Sequence, residues 1–422
     1  MKGELPIDTL GERIRKLRKE KKITLEELAS GKITKGMLSL IENNKAQPSM
    51  ESLSHIAKQL GVNTADLLKE ENKEELRSLV DKTEALYFLE SYEDNHDSFQ
   101  KYKDIVAHIE PLFEQIQHNS GYESARLLEL YGYSLYFTGA ENWKAPLEKA
   151  DGIYNYLNIS SRSASIGSFL SNIEFSKKNY HEALAVFLKE KEKIIRTGVY
   201  IEPLTYLNYN YNEAVFRLAV GEGNKAIEII EAAVEYSKKH KIFYRIDELL
   251  SAAASYSLIS RNKSKLEYYL DKLRQYGKLT NSRYYYAFSD LLTAEMMISS
   301  EGEYENALRL IEEYVDDTEI KIIEPYVYIV KGKALFGMER YRVAISWLEK
   351  AEVPDYFNHP YDLSLLYTGE IYKALCYLKL GNNEKALWHS TLALENYRDM
   401  PDSYYKQLAY TTQKRILEEI AL

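Results

Sequence analysis

Residues 24–43, TLEELASGKITKGMLSLIEN, encode two short helices and the turn between them. Thr24 followed by Glu27 is a capping box, in which a hydroxyl and a carboxylate satisfy two free N–H groups at a helix start. The helix it opens carries Leu25, Leu28 and Ala29 and is broken at Gly31. Lys32 and Ile33 lead to Thr34, whose hydroxyl suits an N-cap, and the next helix turns Leu38 and Ile41 inward. That leaves Lys35, Gly36, Ser39 and Asn43 outward or at its ends.

The same helical spacing extends both ways. Upstream, Thr9 and Glu12 form another capping box, and Leu10, Ile14 and Leu17 share a face, with Arg13, Arg15, Lys16, Arg18 and Lys19 read as a solvated basic surround. Downstream, Pro48 and Ser49 start a helix carrying Leu53, Ile56, Ala57 and Leu60 that stops at Gly61, and Thr64 caps a short fifth helix. Five short helices with a tight turn between the second and third describe a helix-turn-helix domain. Residues 1–69 hold 13 Lys+Arg against 9 Asp+Glu, a net of +4 inside a chain of net charge −9. A basic head on an acidic body places polyanion contact at the N-terminus.

The strings Ile14-Arg15-Lys16-Leu17-Arg18, Leu28-Ala29, Leu38 to Asn43, Pro48-Ser49 and Leu60-Gly61-Val62 together resemble the phage-repressor and Cro-like family over residues 8–68. The resemblance implies that residues 34–42 are a recognition helix in the major groove. Thr34, Lys35 and Ser39 would then contact bases or adjacent phosphates, and Thr24, Asn43 and Lys45 the backbone. Two features depart from the pattern: Leu25 stands where the family often carries a glutamine, and the connection between the second and third helices is one residue short.

Beyond residue 68 the material changes. Every one of the 37 Tyr, 12 Phe and 3 Trp lies after residue 86. Residues 69–82 are charged and helix-favouring, a stiff linker helix. From 83 to 422 a unit recurs in which a Gly or polar turn precedes an aromatic or small residue and then, three positions on, an Ala. It appears at Tyr180-His181-Glu182-Ala183, Gly223 to Ala226, Tyr304 to Ala307, Tyr341 to Ala344 and Asn383 to Ala386, with weaker copies ending at Ala145 and Leu266. This resembles tetratricopeptide repeats with lengthened helices or turns. Neither face of one helix pair can be buried alone, so the pairs must stack, and the expected fold is all-α, a helix-turn-helix domain followed by a tetratricopeptide-like superhelix.

The first helix of each pair should line a concave groove. That projection selects Arg126, Tyr133 and Tyr136, then Ser168 and Asn172, then Asn208, Tyr211 and Asn212. An Asn offers a donor and an acceptor together, as gripping an extended peptide requires, and Arg126 could pair with a ligand carboxylate. The plainer reading is helix-end chemistry for the Asn and repeat packing for the Tyr.

Catalytic and cofactor chemistry has no footing in the sequence. Gly221 to Ala226 matches a dinucleotide fingerprint formally but follows a helix. The eight histidines fall at no metal-ligand spacing, and the single Cys376 fits a small core residue in a reducing compartment. No targeting signal or run of about 18 apolar residues occurs, so the expectation is a cytoplasmic protein that meets no membrane. No cofactor and no enzyme activity are expected.

A repressor-type head on a degenerate repeat body resembles the quorum-sensing regulators of Gram-positive bacteria, the RRNPP group of Rap, Rgg, NprR, PlcR and PrgX, and most resembles its NprR branch. The resemblance implies operator DNA, a short imported signalling peptide in the groove, and a homodimer or higher homo-oligomer whose paired heads move when peptide binds. It further implies a second role, binding a phosphorelay response regulator to restrain sporulation. Two alternatives stay open: a Rap-like protein that chiefly holds or dephosphorylates a response regulator, and a scaffold with a vestigial head.

Overall fold

In the computed structural model, which describes residues 10–43, 45–64, 67, 73–89, 99–117, 119–355 and 357–421, every regular element among those residues is a helix. The expected cap at Thr9, most of the fifth helix after Thr64, the boundary at 68 and the first residues of the linker lie outside them. The chain divides into two compact units, residues 1–166 and 167–422.

The first unit opens with α1 (Leu10–Glu20), α2 (Leu25–Ala29), α3 (Lys35–Glu42) and α4 (Met50–Leu60). The capping box at Thr24 is complete: its backbone N–H donates to Glu27 Oε2 at 2.7 Å and its hydroxyl accepts from Glu27 N at 3.2 Å. Thr34 caps α3 by accepting from Met37 N at 3.1 Å, Ser49 caps α4, and Gly61 ends α4 in the left-handed region that glycine adopts without strain. Ile14, Leu28, Leu38, Ile41, Leu53, Ile56 and Leu60 form one buried core, with Leu10, Leu17 and Leu25 packed half-buried on it. Arg18 is not part of a solvated surround. It makes a two-pronged ion pair with the buried Glu42 across the core edge, at 2.6 and 2.8 Å.

Helices α5 (Lys73–Tyr87), α6 (Gln100–Ile109), α7 (Phe113–Gln117), α8 (Tyr122–Phe137) and α9 (Lys144–Tyr156) complete this unit, and α10 (Ser160–Ser176) spans its end. The described part of the expected linker is thus the start of α5, which packs on α8.

The second unit continues as antiparallel pairs: α11 (Tyr180–Arg196), α12 (Pro203–Ala219) with α13 (Gly223–His240), α14 (Ile246–Ile259) with α15 (Lys263–Thr280), and α16 (Arg283–Met296) with α17 (Tyr304–Ile311). Then come α18 (Glu324–Gly337) with α19 (Tyr341–Leu348), α20 (Pro360–Lys379) with α21 (Asn383–Tyr397), and a closing α22 (Tyr404–Ala421). The sequence repeat marks the turn inside each pair. The residue five before each anchor is left-handed, at Lys178, Gly221, Arg261, Gly302, Glu339 and Gly381, and the anchors Ala183, Ala226, Leu266, Ala307, Ala344 and Ala386 are buried. The weak first copy is in a different register. Ala145 is exposed, and the residue in the anchor's place, fourth in α9, is the buried Leu147, which packs so closely on Gly132 that a Cβ there would lie 2.6 Å from it.

Within this unit α20 does more than continue the stack. Besides α18 it packs against α12 and α14. Just before α20, the Asn358 carbonyl accepts from the Tyr180 hydroxyl at 2.8 Å. The His359 ring meets Phe175 and reaches the Val215 carbonyl at 3.2 Å. One apolar core therefore runs from Leu207 to Ala409.

Candidate nucleic-acid interface and ligand groove

In the head, the geometry leaves the outer side of α3 open. Thr34, Lys35, Asn43 and Lys45 are exposed and Ser39 is half-buried. Lys35 holds only an exposed pair with Glu26 at 3.3 Å, worth little in water and easily exchanged for a phosphate. Asn43 donates to the Ser39 carbonyl at 2.7 Å and so ends α3, and Thr24 is occupied as a cap. Met37 and Leu40, which the reading for polar contacts passed over, are also exposed on α3 and would suit thymine methyl groups. The Glu42 hydrogen bond raises the Arg18 guanidinium above its ordinary value, against desolvation, so the charge that fixes α3 to α1 is permanent.

Arg126 and Tyr133 are not brought to a surface. Arg126 is 1 % exposed, 2.6 Å from Glu84 and 3.0 Å from Glu129. Burial works against its charge, but the two carboxylates outweigh it and hold the guanidinium above its ordinary value. Glu129 also accepts from Tyr133 at 3.1 Å and Tyr154 at 2.6 Å. The carboxylates that meet Arg126 are the chain's own, and this cluster ties α5 to α8 and α9.

The second unit holds the other selected residues. Asn172 is exposed on α10, and Asn212 donates to Ser168 at 3.0 Å, joining α12 to α10. Asn210 is absorbed by its own helix through the Tyr206 carbonyl. Asn208 differs: its side-chain oxygen is buried and accepts no hydrogen bond. Tyr211, one turn on along the same face, lies under the Arg245 guanidinium at 4.8 Å from the ring centre. Arg245, in a left-handed backbone before α14, pairs with Glu248, yet its Nε is buried without a partner. The sequence reading missed Arg245, because nothing local marks it.

Where α20 faces α14, α16 and α18, a cavity of about 130 Å3 remains, walled by Tyr284, Phe288, Tyr326, Phe357 and Tyr361, with Asp362 on its lining. Burial pushes the Asp362 carboxyl up to about 6, a Tyr326 hydrogen bond pulling less strongly the other way. Burial likewise raises Glu248 and pushes the Tyr211 hydroxyl up to about 12. Among the described residues no cluster of His, Cys, Asp and Glu could hold a metal ion, and no helix is long and apolar enough to cross a membrane.

With that geometry in place, residues 11–73 match a family model described as a helix-turn-helix domain. No curated protein is matched. The chain is similar to several solved structures, among them these three. Bacillus thuringiensis PlcR, in complex with the peptide PapR7 and DNA, is 16% identical over 68% of this chain and 99% of its own, with a TM-score of 0.36. The apo competence regulator ComR from Streptococcus vestibularis is 18% identical over 70% and 99%, with a TM-score of 0.34. The PrgX/cCF10 complex is 17% identical over 81% and 99%, with a TM-score of 0.19. The class defined by the chain's own fold is an all-α protein with a helix-turn-helix head and a tetratricopeptide-like repeat body.

Proposed function

We propose that the chain is a cytoplasmic transcription regulator whose DNA binding and oligomeric state respond to a short signalling peptide held by the second unit. On this reading it is a regulator of the RRNPP kind and of the NprR type, which the resemblance of its repressor-type head and repeat body supports. The observation that carries the reading is the pair of buried, unpartnered polar atoms near Tyr211, Asn208 Oδ1 and Arg245 Nε. A buried polar atom without a partner costs about 1–3 kcal/mol, and a peptide backbone supplies both the donor and the acceptor these atoms lack. Asn172 and Asn212 extend the same face; Arg126 and Tyr133 hold the first unit together.

In this mechanism α3 enters the major groove, with Lys35 and Thr34 on phosphates or bases, Ser39, Met37 and Leu40 on base edges, and Asn43 and Lys45 on the backbone. Paired heads in a homo-oligomer read two half-sites. Peptide shifts the population only by binding one arrangement of the repeats more tightly than another. A phosphorelay response regulator, held in the peptide-free state to restrain sporulation, is the second partner of this reading. Isothermal titration of the full chain with a panel of heptapeptides tests the groove. Asn208→Ala should weaken a bound peptide about five- to a hundredfold, from loss of one buried hydrogen bond; unchanged affinity would remove Asn208 from the site. Lys35→Ala with Ser39→Ala should abolish DNA binding and leave peptide and response-regulator binding intact.

A further inference from the structure

The cavity beside α20 has a chemistry of its own. Its wall is apolar, with aromatic rings set among leucine and isoleucine side chains: Tyr284 and Phe288 stack at 6.0 Å, and Tyr326 meets Phe357 edge-on at 5.3 Å. On this lining sits one carboxylate, that of Asp362. No lysine, arginine or histidine forms an ion pair with Asp362 among the described residues, whereas several enclosed acids of the second unit have one: Glu295 with Lys333, Glu213 with Lys191 and Arg217, Glu370 with Lys373. Asp247 and Glu248, also acidic, and the cation Arg245, which is paired with Glu248, act on the same Tyr211 hydroxyl as Asp362. A lone aspartate in the first turn of a helix is ordinarily a response to the helix dipole and faces water. Here it borders a partly enclosed space instead. Aromatic faces carry negative potential, and a carboxylate bordering an apolar space with such rings in its wall suits a desolvated cation.

We infer that the cavity bordered by Asp362, Tyr284, Phe288 and Tyr326 binds an ammonium group carried on a short apolar chain, as the anchor point of a peptide ligand. The ammonium is either a lysine side chain or a free N-terminus; both present the same charge on the same kind of stem. The inference deepens the peptide reading by stating the chemistry of one end of the ligand. It makes Asp362 the specificity-determining charge and the tyrosine rings the desolvating wall. It also accounts for a carboxylate that borders the cavity with a Tyr326 hydrogen bond and no cation of the chain paired to it.

The test uses the full-length chain and three small probes, followed by calorimetry and saturation-transfer NMR at pH 7.5. N-acetyl-lysine amide presents only the side-chain ammonium, leucine amide only the α-ammonium, and N-acetyl-norleucine amide is the uncharged counterpart. The expected result is saturable binding of one or both cationic probes, and which of them binds identifies the source of the charge. Asp362→Asn should weaken that probe at least tenfold, and Tyr284→Leu, which keeps the charge and removes a ring, severalfold. Equal binding of the norleucine probe, an unchanged affinity in Asp362→Asn, or no binding by either cation would overturn the assignment. No DNA or signalling peptide enters this experiment, so its failure leaves the peptide-and-operator reading to stand or fall by its own titrations.

Discussion

Replacing Asp362 by asparagine should make the protein more stable at neutral pH, and only there. Asparagine keeps the shape and an acceptor for Tyr326 while removing the charge. In the unfolded chain an aspartate ionises near 3.9; in the folded protein burial moves Asp362 up to about 6. A raised carboxyl pKa means that the folded state holds the proton more tightly. Ionised Asp362 therefore opposes folding, with a penalty absent below about pH 4, growing through pH 4–6 and complete above the folded pKa. Two pH units at about 1.4 kcal/mol each give a ceiling near 3 kcal/mol. Partial exposure of the side chain and the favourable helix-start position of the charge, worth about 0.5 kcal/mol, reduce this to on the order of 2 kcal/mol. Urea denaturation of the full chain, wild type against Asp362→Asn, measures it at pH 4 and 7.5. The variant should gain on the order of 2 kcal/mol in the transition of the second unit at pH 7.5 and nothing at pH 4. A gain independent of pH, or a loss at pH 7.5, would refute the placement of a carboxylate without a cationic partner beside the cavity. A bound ammonium should offset the penalty in the wild type alone.

Other outcomes follow from packing and charge. Arg18→Met strands the buried Glu42 carboxylate and should cost the head about 3–5 kcal/mol; differential scanning calorimetry should show a head transition that moves down while that of the second unit stays in place. For Lys35→Ala, weaker DNA binding should come with a log–log salt slope about one unit shallower, measured by fluorescence anisotropy. At the repeat turns, exposed Glu339 is left-handed. Glu339→Gly should stabilise the second unit by about 1 kcal/mol, whereas Gly381→Ala, at the equivalent turn, should destabilise it by a similar amount in chemical denaturation.

The head was legible because its signals are local. Thr24 and Glu27 are three residues apart, Thr34 caps what directly follows it, and the spacing of Leu38 and Ile41 needs no knowledge of the rest of the chain. The repeat was legible for the same reason, since each left-handed turn stands five residues before its anchor. The exception is α9, where residues 141–143 displace the register and make the exposed Ala145 look like an anchor. What local pattern could not reveal is pairing across distance. Arg18 looked solvated because its partner, Glu42, lies 24 residues on. Arg126 looked free to meet a ligand because Glu84 lies 42 residues back. The packing of α20 on α12 and α14 joins segments more than 100 residues apart, so nothing local marked Asp362 or Arg245.

The central claim is that ligand held by the repeats changes what the head does to DNA. Duplexes enriched from a random pool by the purified full chain, labelled and titrated with that chain in the absence and presence of a bound heptapeptide, test it in a single anisotropy series. The account predicts an operator affinity that shifts at least fivefold with peptide, a reciprocal shift of peptide affinity with DNA, and loss of both shifts in Asn208→Ala. Peptide and DNA that each bind tightly while leaving the other's affinity unchanged would contradict it.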